Sequence, residues 1–194
     1  PFLNEAARTF LFDQRKLDPR VVSWCRLNSF TDKQGTSWLQ IPYYDIDGHL
    51  IGVQNRNLSY QSSSINNQSS SAPRFKFPYG HTCHIYNLPV LKLLKKGEPL
   101  FITEGASDCW AMLSSGHKAV AIPSATLLKP QDLQILSTLN SQLSTVLHMY
   151  PDQDEPGERL FLDLRRLLGS PSSIVRHQLP PDYKDYSDYY LSKH

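Results

Sequence analysis

Short apolar runs alternate with longer amphipathic segments in the second half of the chain. The runs at 100–103, 119–122, 145–150 and 173–178 predict four strands. The segments at 106–115, 130–139 and 157–168 predict helices, and the first and third end at Gly116 and Gly169. Strands that alternate with helices of roughly ten residues are typical of a parallel α/β sheet.

The first half of the chain has a different pattern. Residues 4–28 predict helix, with a second helix starting at Asp18-Pro19, because Pro favours the first helical position. Residues 38–45 and 50–58 predict two strands joined at Asp47-Gly48, a strong hairpin signal. Residues 59–72 are almost purely polar and predict a flexible loop. Residues 73–78 predict an extended segment, and 88–96 a short helix ended by Gly97.

These patterns divide the chain near residue 97. We expect a smaller α+β subdomain over residues 1–97, followed by an α/β domain over 98–194. Residues 1–98 carry 12 Lys and Arg against 7 Asp and Glu, and residues 99–194 carry 8 against 11, so the net charges are +5 and −3. A basic half beside an acidic half suits a protein that holds a polyanion and metal ions, although ordinary domains also carry imbalances of this size.

The apolar runs, the start of the sequence and the cysteines bear on where in the cell the protein is expected. No apolar run approaches the roughly 18 residues that span a membrane, and no basic-then-apolar leader follows Pro1. The start without Met suggests a fragment of a longer protein. Cys25, Cys83 and Cys109 are scattered, and an odd, widely spaced set does not indicate a disulfide framework. We therefore predict a cytoplasmic protein without membrane association.

Two acidic signals directly follow predicted strands. Glu104-Gly105 follows the first strand, with Asp108 four residues on, and Asp152-Gln153-Asp154 follows the third. Ligands of open parallel sheets bind at the carboxyl ends of the strands, so these carboxylates are expected in one crevice. Carboxylates with water and phosphate are the ligands of Mg²⁺. A third cluster around Asp182, Asp185 and Asp188 could close the same crevice.

Each acidic signal has an alternative interpretation. Asp152, Asp154 and Gly157 match three positions of an EF-hand calcium loop, but Pro156 is a poor ligand and a strand precedes the loop instead of a helix. Acidic residues also favour helix starts, which would explain Glu104, Asp108 and the last cluster as caps. For Asp152 and Asp154, a solvated acidic loop with a helix cap is the other structural explanation.

The order of strands and acidic residues along the chain resembles that of the Toprim domain. This domain is found in bacterial-type DNA primases, type IA and II topoisomerases and some nucleases. In chain order, a strand is followed by Glu104-Gly105 and Asp108, a later strand is followed by Asp152-x-Asp154-x-x-Gly157, and Lys184-Asp185 comes last. The segments at 41–52, 55–56, 74–78 and 85–88 resemble the subdomain that precedes Toprim in bacterial primases, and 15–24 resembles its helical lead-in. The resemblance covers nearly the whole chain.

The resemblance implies a primase core that makes short RNA primers on single-stranded DNA from ribonucleoside triphosphates. It implies catalytic and metal-binding roles for Glu104, Asp152 and Asp154, with Asp108 and Asp185 in support of Mg²⁺ or Mn²⁺. It places nucleotide or template contacts at Arg56, Arg74, Lys76 and Lys184. Phe75, Phe77 and Tyr79 are interleaved with the basic residues and would stack on bases or pack the subdomain floor.

Further expectations concern origin and partners. A replicative helicase is a possible partner, and the divergence favours a phage, plasmid or other mobile element. Pro123-Ser124-Ala125 stands where the family has a glycine-containing turn, and there is no CxxC zinc module. His81-Thr82-Cys83-His84 is too cramped for zinc and is interpreted as an ordinary loop. Two alternative functions stay open: a Toprim nuclease or topoisomerase-like enzyme, and a nucleic-acid-binding module with a degenerate site.

Overall fold

The computed structural model describes residues 2–60, 73–76, 84–122, 129–169 and 174–194. The chain forms two compact units, the first of residues 1–43 and 50–82 and the second of residues 44–49 and 83–194. The domain boundary near residue 97 stays a prediction. The predicted loop at 59–72 lies outside the described residues from position 61 onward.

The first unit combines short helical segments with a four-stranded sheet. The helical segments are α1 (Glu5–Arg8), a π-helical turn (Thr9–Gln14) and α2 (Pro19–Trp24). The strands are β1 (Asn28–Thr31), β2 (Ser37–Tyr44), β3 (Leu50–Asn57) and β4 (Phe75–Lys76), in the order β1-β2-β3-β4. β1 pairs with β2 and β3 with β4, both antiparallel. Leu11, Leu27, Leu39 and Trp38 are among its fully buried side chains.

Local sequence signals account for several element ends in this unit. The Asp18 side chain caps α2 by accepting from the Arg20 amide, with Pro19 at the first helical position, as predicted. The β2–β3 hairpin turns at Gly48, whose φ of 88° suits glycine. The helical stretch predicted over residues 4–28, with its second helix starting at Asp18-Pro19, is confirmed for residues 5–14 and 19–24 and is wrong at its C-terminal end. Lys16 and Arg26 adopt left-handed conformations that break it, and β1 begins at Asn28.

The second unit is built on a parallel sheet. A 3₁₀ helix (Leu88–Leu93) precedes it. The strands are β5 (Leu100–Thr103), β6 (Ala119–Ala121), β7 (Leu147–Met149) and β8 (Ile174–Arg176), and the helices are α3 (Ala106–Ser114), α4 (Pro130–Leu143), α5 (Glu155–Leu167) and α6 (Tyr186–Leu191). The strand order is β6-β5-β7-β8, and every pairing is parallel. The predicted fold class, a parallel sheet flanked by helices, is confirmed.

Side-chain alternation in the central strands separates two faces of this sheet. Leu100 and Ile102 of β5 and Leu147 and Met149 of β7 belong to one core cluster with apolar residues of α4 and α5. The intervening residues point to the opposite face, because successive strand residues alternate. α3 lies against β5 and β6, and α6 lies against α3. Burial of β5 along its whole length agrees with a central parallel strand.

Candidate active site

The strand order creates a topological switch point between β5 and β7. From β5 the chain first adds β6 on one side and later adds β7 and β8 on the other. At such a point the connections leave in opposite directions, which opens a crevice at the carboxyl ends of the two strands. Glu104 directly follows β5, and Asp152 lies three residues after the end of β7. The sheet therefore delivers both acidic signals to one crevice.

Three carboxylates from separate segments converge there. Asp108 of α3, Asp152 of the β7–α5 loop and Asp185 before α6 each offer an oxygen within 4.8 Å of the other two. Asp108 is buried, and Asp152 and Asp185 are half-buried. The third acidic cluster thus contributes Asp185, while Asp182 is exposed. The arrangement resembles a metal site in which oxygen ligands come from several elements.

Hydrogen bonds from the C-terminal segment hold this group in place. Asp108 Oδ1 accepts from the Ser187 amide at 2.8 Å and from the Ser187 hydroxyl at 2.6 Å. The Gln153 amide donates to the Lys184 carbonyl at 2.7 Å, and its side chain donates to the carbonyls of Pro180 and Tyr183. Ser187 and Gln153 were not predicted. Neither has a sequence signal, because their role depends on a contact between distant segments.

Gly157 allows the first turn of α5 to approach Asp152. A Cβ at residue 157 would lie 2.4 Å from the Asp152 carbonyl oxygen and 2.8 Å from its Cβ. The requirement for glycine here comes from close approach to backbone and not from an unusual φ. The close approach of α5 to Asp152 is therefore the physical reason for a glycine at this position.

The local environment raises the pKa of Asp152 to about 8 from an ordinary value of 3.8. Burial is the largest cause, and the charges of Asp108 and then Glu104 add to it. At neutral pH the apo site therefore retains a proton on Asp152, because a further negative charge in this group is disfavoured. A bound cation would remove that proton, since metal ligands must be deprotonated.

Glu104 faces the same group of charges. Burial raises its pKa, as does the charge of Asp154, while Lys184 opposes the shift. Its Oε2 is buried and has no hydrogen-bond partner among the residues that the structure describes. A buried unpaired carboxylate oxygen is costly, so it indicates a missing partner. A divalent cation of the Mg²⁺ or Mn²⁺ type fits these residues, since all the available ligands are oxygens.

Asp154 lies beside the carboxylate group and caps a helix at the same time. Its Oδ1 accepts from the Gly157 amide at 2.9 Å at the start of α5, and its Oδ2 lies 3.7 Å from Lys184 Nζ. It does not belong to the group of three whose oxygens approach within 4.8 Å. The helix-cap interpretation therefore holds for Asp154, and its charge still acts on Glu104.

The predicted basic residues of the first unit form two sets of aromatic contacts. Arg56 lies over the rings of Phe10 and Phe75, at 4.7 and 5.4 Å, and Arg74 lies 5.3 Å from Phe75. Arg15, which was not predicted, lies 5.3 Å from the centroid of the Phe10 ring and belongs to the same set. Lys76 is placed apart from these, 4.6 Å from the Trp38 ring.

The three arginines repel one another. The pKa of Arg56 is lowered to about 10 by burial and by the charges of Arg15 and Arg74. No carboxylate forms an ion pair with any of the three within the described ranges. Guanidinium groups that stack on rings and lack counter-charges match a surface for phosphates and bases. Phe77 and Tyr79, predicted to stack beside them, lie outside the described residues.

A second group of potential metal ligands, formed by Asp45, Asp47 and His49, lies at the hairpin turn of residues 44–49. Here the turn itself explains the geometry. Asp45 accepts from the amides of Asp47 and His49 at 2.9 Å, and Asp47 accepts from Lys92 Nζ at 2.6 Å. Backbone amides and Lys92 satisfy the two carboxylates of this group, so no cation is needed to explain their proximity.

Comparisons with known families agree with this geometry. Residues 101–190 match the model of a Toprim-like family. This match confirms the resemblance to the Toprim domain that was drawn from the acidic signals. No curated protein matches the sequence.

Solved structures extend the likeness beyond that domain. The chain is similar to the RNA polymerase domain of the Mycobacterium tuberculosis primase DnaG in complex with a DNA oligomer (17% identity, 97% of this chain and 70% of that one, TM-score 0.69). It is similar to a DnaG primase catalytic domain bound to single-stranded DNA (17% identity, 98% of this chain and 70% of that one, TM-score 0.66). It is also similar to the primase fragment of the bacteriophage T7 primase-helicase (16% identity, 94% of this chain and 69% of that one, TM-score 0.67). The chain has the fold of primase catalytic cores.

Within the described ranges, none of the helices has the length and hydropathy that crossing a bilayer requires.

Proposed function

We propose that this chain is the catalytic core of a DNA primase, which joins ribonucleotides into a short RNA primer on single-stranded DNA. The observation that carries the proposal is the convergence of Asp108, Asp152 and Asp185 at the switch point of a Toprim-like sheet. The fold shared with primase cores supports it, but at 16–17% identity that likeness extends to the fold alone.

The proposed metal ligands are the carboxylates of the crevice, namely Glu104, Asp108, Asp152, Asp154 and Asp185. When bound there, Mg²⁺ or Mn²⁺ would activate the attacking hydroxyl and neutralise charge on the phosphates. Asp152 would release its proton on binding, which follows from its raised pKa. Ser187 would keep Asp108 oriented through its two hydrogen bonds.

In this proposal Glu104 also serves as the general base. Its raised pKa brings it closer to neutral pH, where a base is most effective, and its carboxylate oxygen that does not bind the metal accepts the proton. The oxygen of the primer 3′-hydroxyl bonds to the α-phosphorus of the incoming nucleotide, and its proton passes to Glu104. The bond from that phosphorus to pyrophosphate breaks, and pyrophosphate leaves.

The basic residues of the first unit supply the polyanion contacts. Arg15, Arg56 and Arg74 would bind phosphates of the template or of the incoming nucleotide, which would also relieve their mutual repulsion. Lys76 and, in the second unit, Lys184 complete the proposed set. One similar protein is bound to single-stranded DNA and another is part of a primase-helicase, so a DNA template and a replicative helicase are the proposed partners.

Primer synthesis on a defined single-stranded template tests the function. The 194-residue chain, given ribonucleoside triphosphates and Mg²⁺ or Mn²⁺, should produce short RNA products complementary to the template. Products should disappear without template and with Asp152→Asn. Metal-dependent nicking of plasmid DNA without RNA synthesis would replace the proposal with a nuclease. If the folded chain binds DNA but neither synthesises RNA nor cleaves DNA, the proposal is replaced by a nucleic-acid-binding module.

Replacing Arg56 by Gln should weaken binding of single-stranded DNA by roughly tenfold and reduce the salt dependence of the affinity, because one phosphate contact is lost. Fluorescence anisotropy at several salt concentrations measures both quantities. Lys33→Gln removes the same charge from an exposed turn of the same unit and is the matched control. Equal losses for the two variants would indicate a general charge effect and contradict a specific role for Arg56.

A further inference from the structure

A groove runs between the N-terminal helical segments of the first unit and the end of its sheet where β1 ends and β2 begins. Its volume is about 550 Å³, within the range of clefts that hold small molecules, roughly 300–1,000 Å³. One wall carries Glu5, Thr9 and Gln14 of the helical segments, and the other carries Thr31 and Ser37 of the strands. Nothing in the proposed chemistry uses these five side chains.

The π-helical turn aligns the three polar side chains of the helical wall. Glu5 and Thr9 lie four residues apart and share a face, as in an ordinary helix. Gln14 lies five residues after Thr9 and would turn away from that face in an α-helix. In this turn the hydrogen bonds join residues five apart, as from the Arg15 amide to the Phe10 carbonyl at 3.0 Å, so Gln14 also faces the groove. Turns of this kind are rare and frequently occur at functional sites.

The helical wall has hydrogen-bonding groups to spare. Within the described ranges, the side chains of Glu5, Thr9 and Gln14 make no hydrogen bond and no ion pair. Thr31 and Ser37 on the opposite wall accept from Asn4 Nδ2, at 3.3 and 3.5 Å. A carboxylate only accepts hydrogen bonds, whereas a carboxamide and a hydroxyl both donate and accept. The helical wall can therefore pair with the edge of a ring that carries both donors and acceptors.

Uncompensated positive charge lies directly beside this wall. Phe10 also lines the groove, and the guanidinium groups of Arg15 and Arg56 lie 5.3 and 4.7 Å from the centroid of its ring. Neither arginine forms an ion pair with Glu5 or with any other carboxylate of the described residues. An anion bound to the two arginines would thus stand next to the groove. A phosphate attached to a hydrogen-bonding ring is the chemistry of a nucleotide.

We propose that this groove binds the base of a nucleotide and prefers bases that carry an exocyclic amino group. Glu5 accepts a hydrogen bond from the amino group, as carboxylates do from cytosine N4, and Gln14 pairs with the adjoining ring atoms. The phosphate lies on Arg15 and Arg56. Thymine and uracil present a carbonyl oxygen where cytosine has its amino group, and that oxygen repels the carboxylate.

The choice of a nucleotide as the occupant rests on the proposed function, which offers two sources of it. The base belongs either to the single-stranded template or to an incoming ribonucleoside triphosphate. Both present the same ring edge next to a phosphate, so the groove recognises their shared chemistry.

Fluorescence anisotropy with labelled oligo-dC and oligo-dT of equal length tests the preference, because both are pyrimidine strands of the same charge. In EDTA the 194-residue chain should bind oligo-dC at least about fivefold more tightly than oligo-dT. Glu5→Gln should bring this ratio below about twofold without weakening the binding of oligo-dT, since a negative charge is removed. Gln14→Ala should also lower the ratio. Asp13→Asn removes the same charge from an exposed position outside the groove and should retain the wild-type ratio.

Calorimetric titration with CTP and with UTP separates the two sources. If Glu5→Gln removes the preference only among free nucleotides, the groove serves the incoming nucleotide; if only among oligonucleotides, it serves the template. Either result supports a base-binding groove. Equal wild-type affinities for dC and dT strands together with equal affinities for CTP and UTP would overturn it. A ratio that Asp13→Asn lowers as much as Glu5→Gln does would overturn it as well.

The groove and the proposed function can fail separately, because base preference is measured without metal and without synthesis. An intact preference without primer synthesis would refute the proposed function and leave the groove. Primer synthesis without any base preference would refute the groove alone. Glu5 and Gln14 are exposed, so both variants should melt as the wild type does, and Thr9→Val replaces either variant if it does not fold.

Discussion

Asp152→Asn should abolish the Mg²⁺-dependent stabilisation of this chain and lower primer synthesis by at least about 100-fold, because it removes one of the proposed metal ligands of the carboxylate group. Without metal, the same change should leave the protein as stable as wild type or more stable at pH 8. Asparagine removes a charge that Asp108 and Glu104 disfavour in the native state. A substitution that raises stability and eliminates activity would mark Asp152 as a functional residue.

The raised pKa of Asp152 also determines how the stability of the metal-free protein changes with pH. The pKa of Asp152 is raised to about 8, so between about pH 4 and pH 8 the native state holds a proton that the unfolded state has lost. The free energy of unfolding of the metal-free wild type should therefore fall as the pH rises through this window. Asp152→Asn should flatten that decline.

Thermal unfolding from pH 5 to pH 9, in EDTA and in Mg²⁺, measures both effects. Asp182→Asn is the matched control, because it neutralises an exposed carboxylate of the C-terminal segment outside the group of three. It should leave the Mg²⁺ response unchanged. A Mg²⁺ response that survives in Asp152→Asn would rule out Asp152 as a ligand, and the metal site would then have to lie elsewhere.

Gly157→Ala is the second substitution with a large expected effect. Helix propensity alone predicts that alanine within α5 stabilises by up to about 1 kcal/mol. The structure predicts the opposite, because the added Cβ would lie 2.4 Å from the Asp152 carbonyl oxygen, closer than van der Waals contact allows. Overpacking of this kind costs about 1–3 kcal/mol, and relief of the clash would displace Asp152. We expect lower stability together with weaker Mg²⁺ binding.

Urea unfolding and Mg²⁺ titration check the two consequences separately. Arg159→Ala, at an exposed position two residues further along α5, is the control and should change both quantities little. Stabilisation by Gly157→Ala, with unchanged Mg²⁺ affinity, would mean that α5 lies further from Asp152 than the structure places it.

The sheet of the second unit could be predicted because its signals are local. β5 and the start of α3 are bounded as expected, since Leu100–Thr103 is a short apolar run closed by Glu104-Gly105. The first unit was harder. The predicted helical stretch is interrupted at Lys16 and ends at Arg26, in left-handed conformations that neither residue type signals, and β1 is stabilised by its pairing with β2. Such pairing depends on distant residues, which a local pattern does not reveal.

The sequence alone determined the acidic residues, their order after the strands and the expectation of an oxygen-ligand metal site, because these depend on residue type and on strand direction. Only the tertiary structure decided how the carboxylates are grouped. It brings oxygens of Asp108, Asp152 and Asp185 within 4.8 Å of one another and places Asp154, which also caps α5, beside them. The contacts of Ser187 and the groove between Gln14 and Ser37 are equally tertiary, since each joins segments that meet only when the chain has folded.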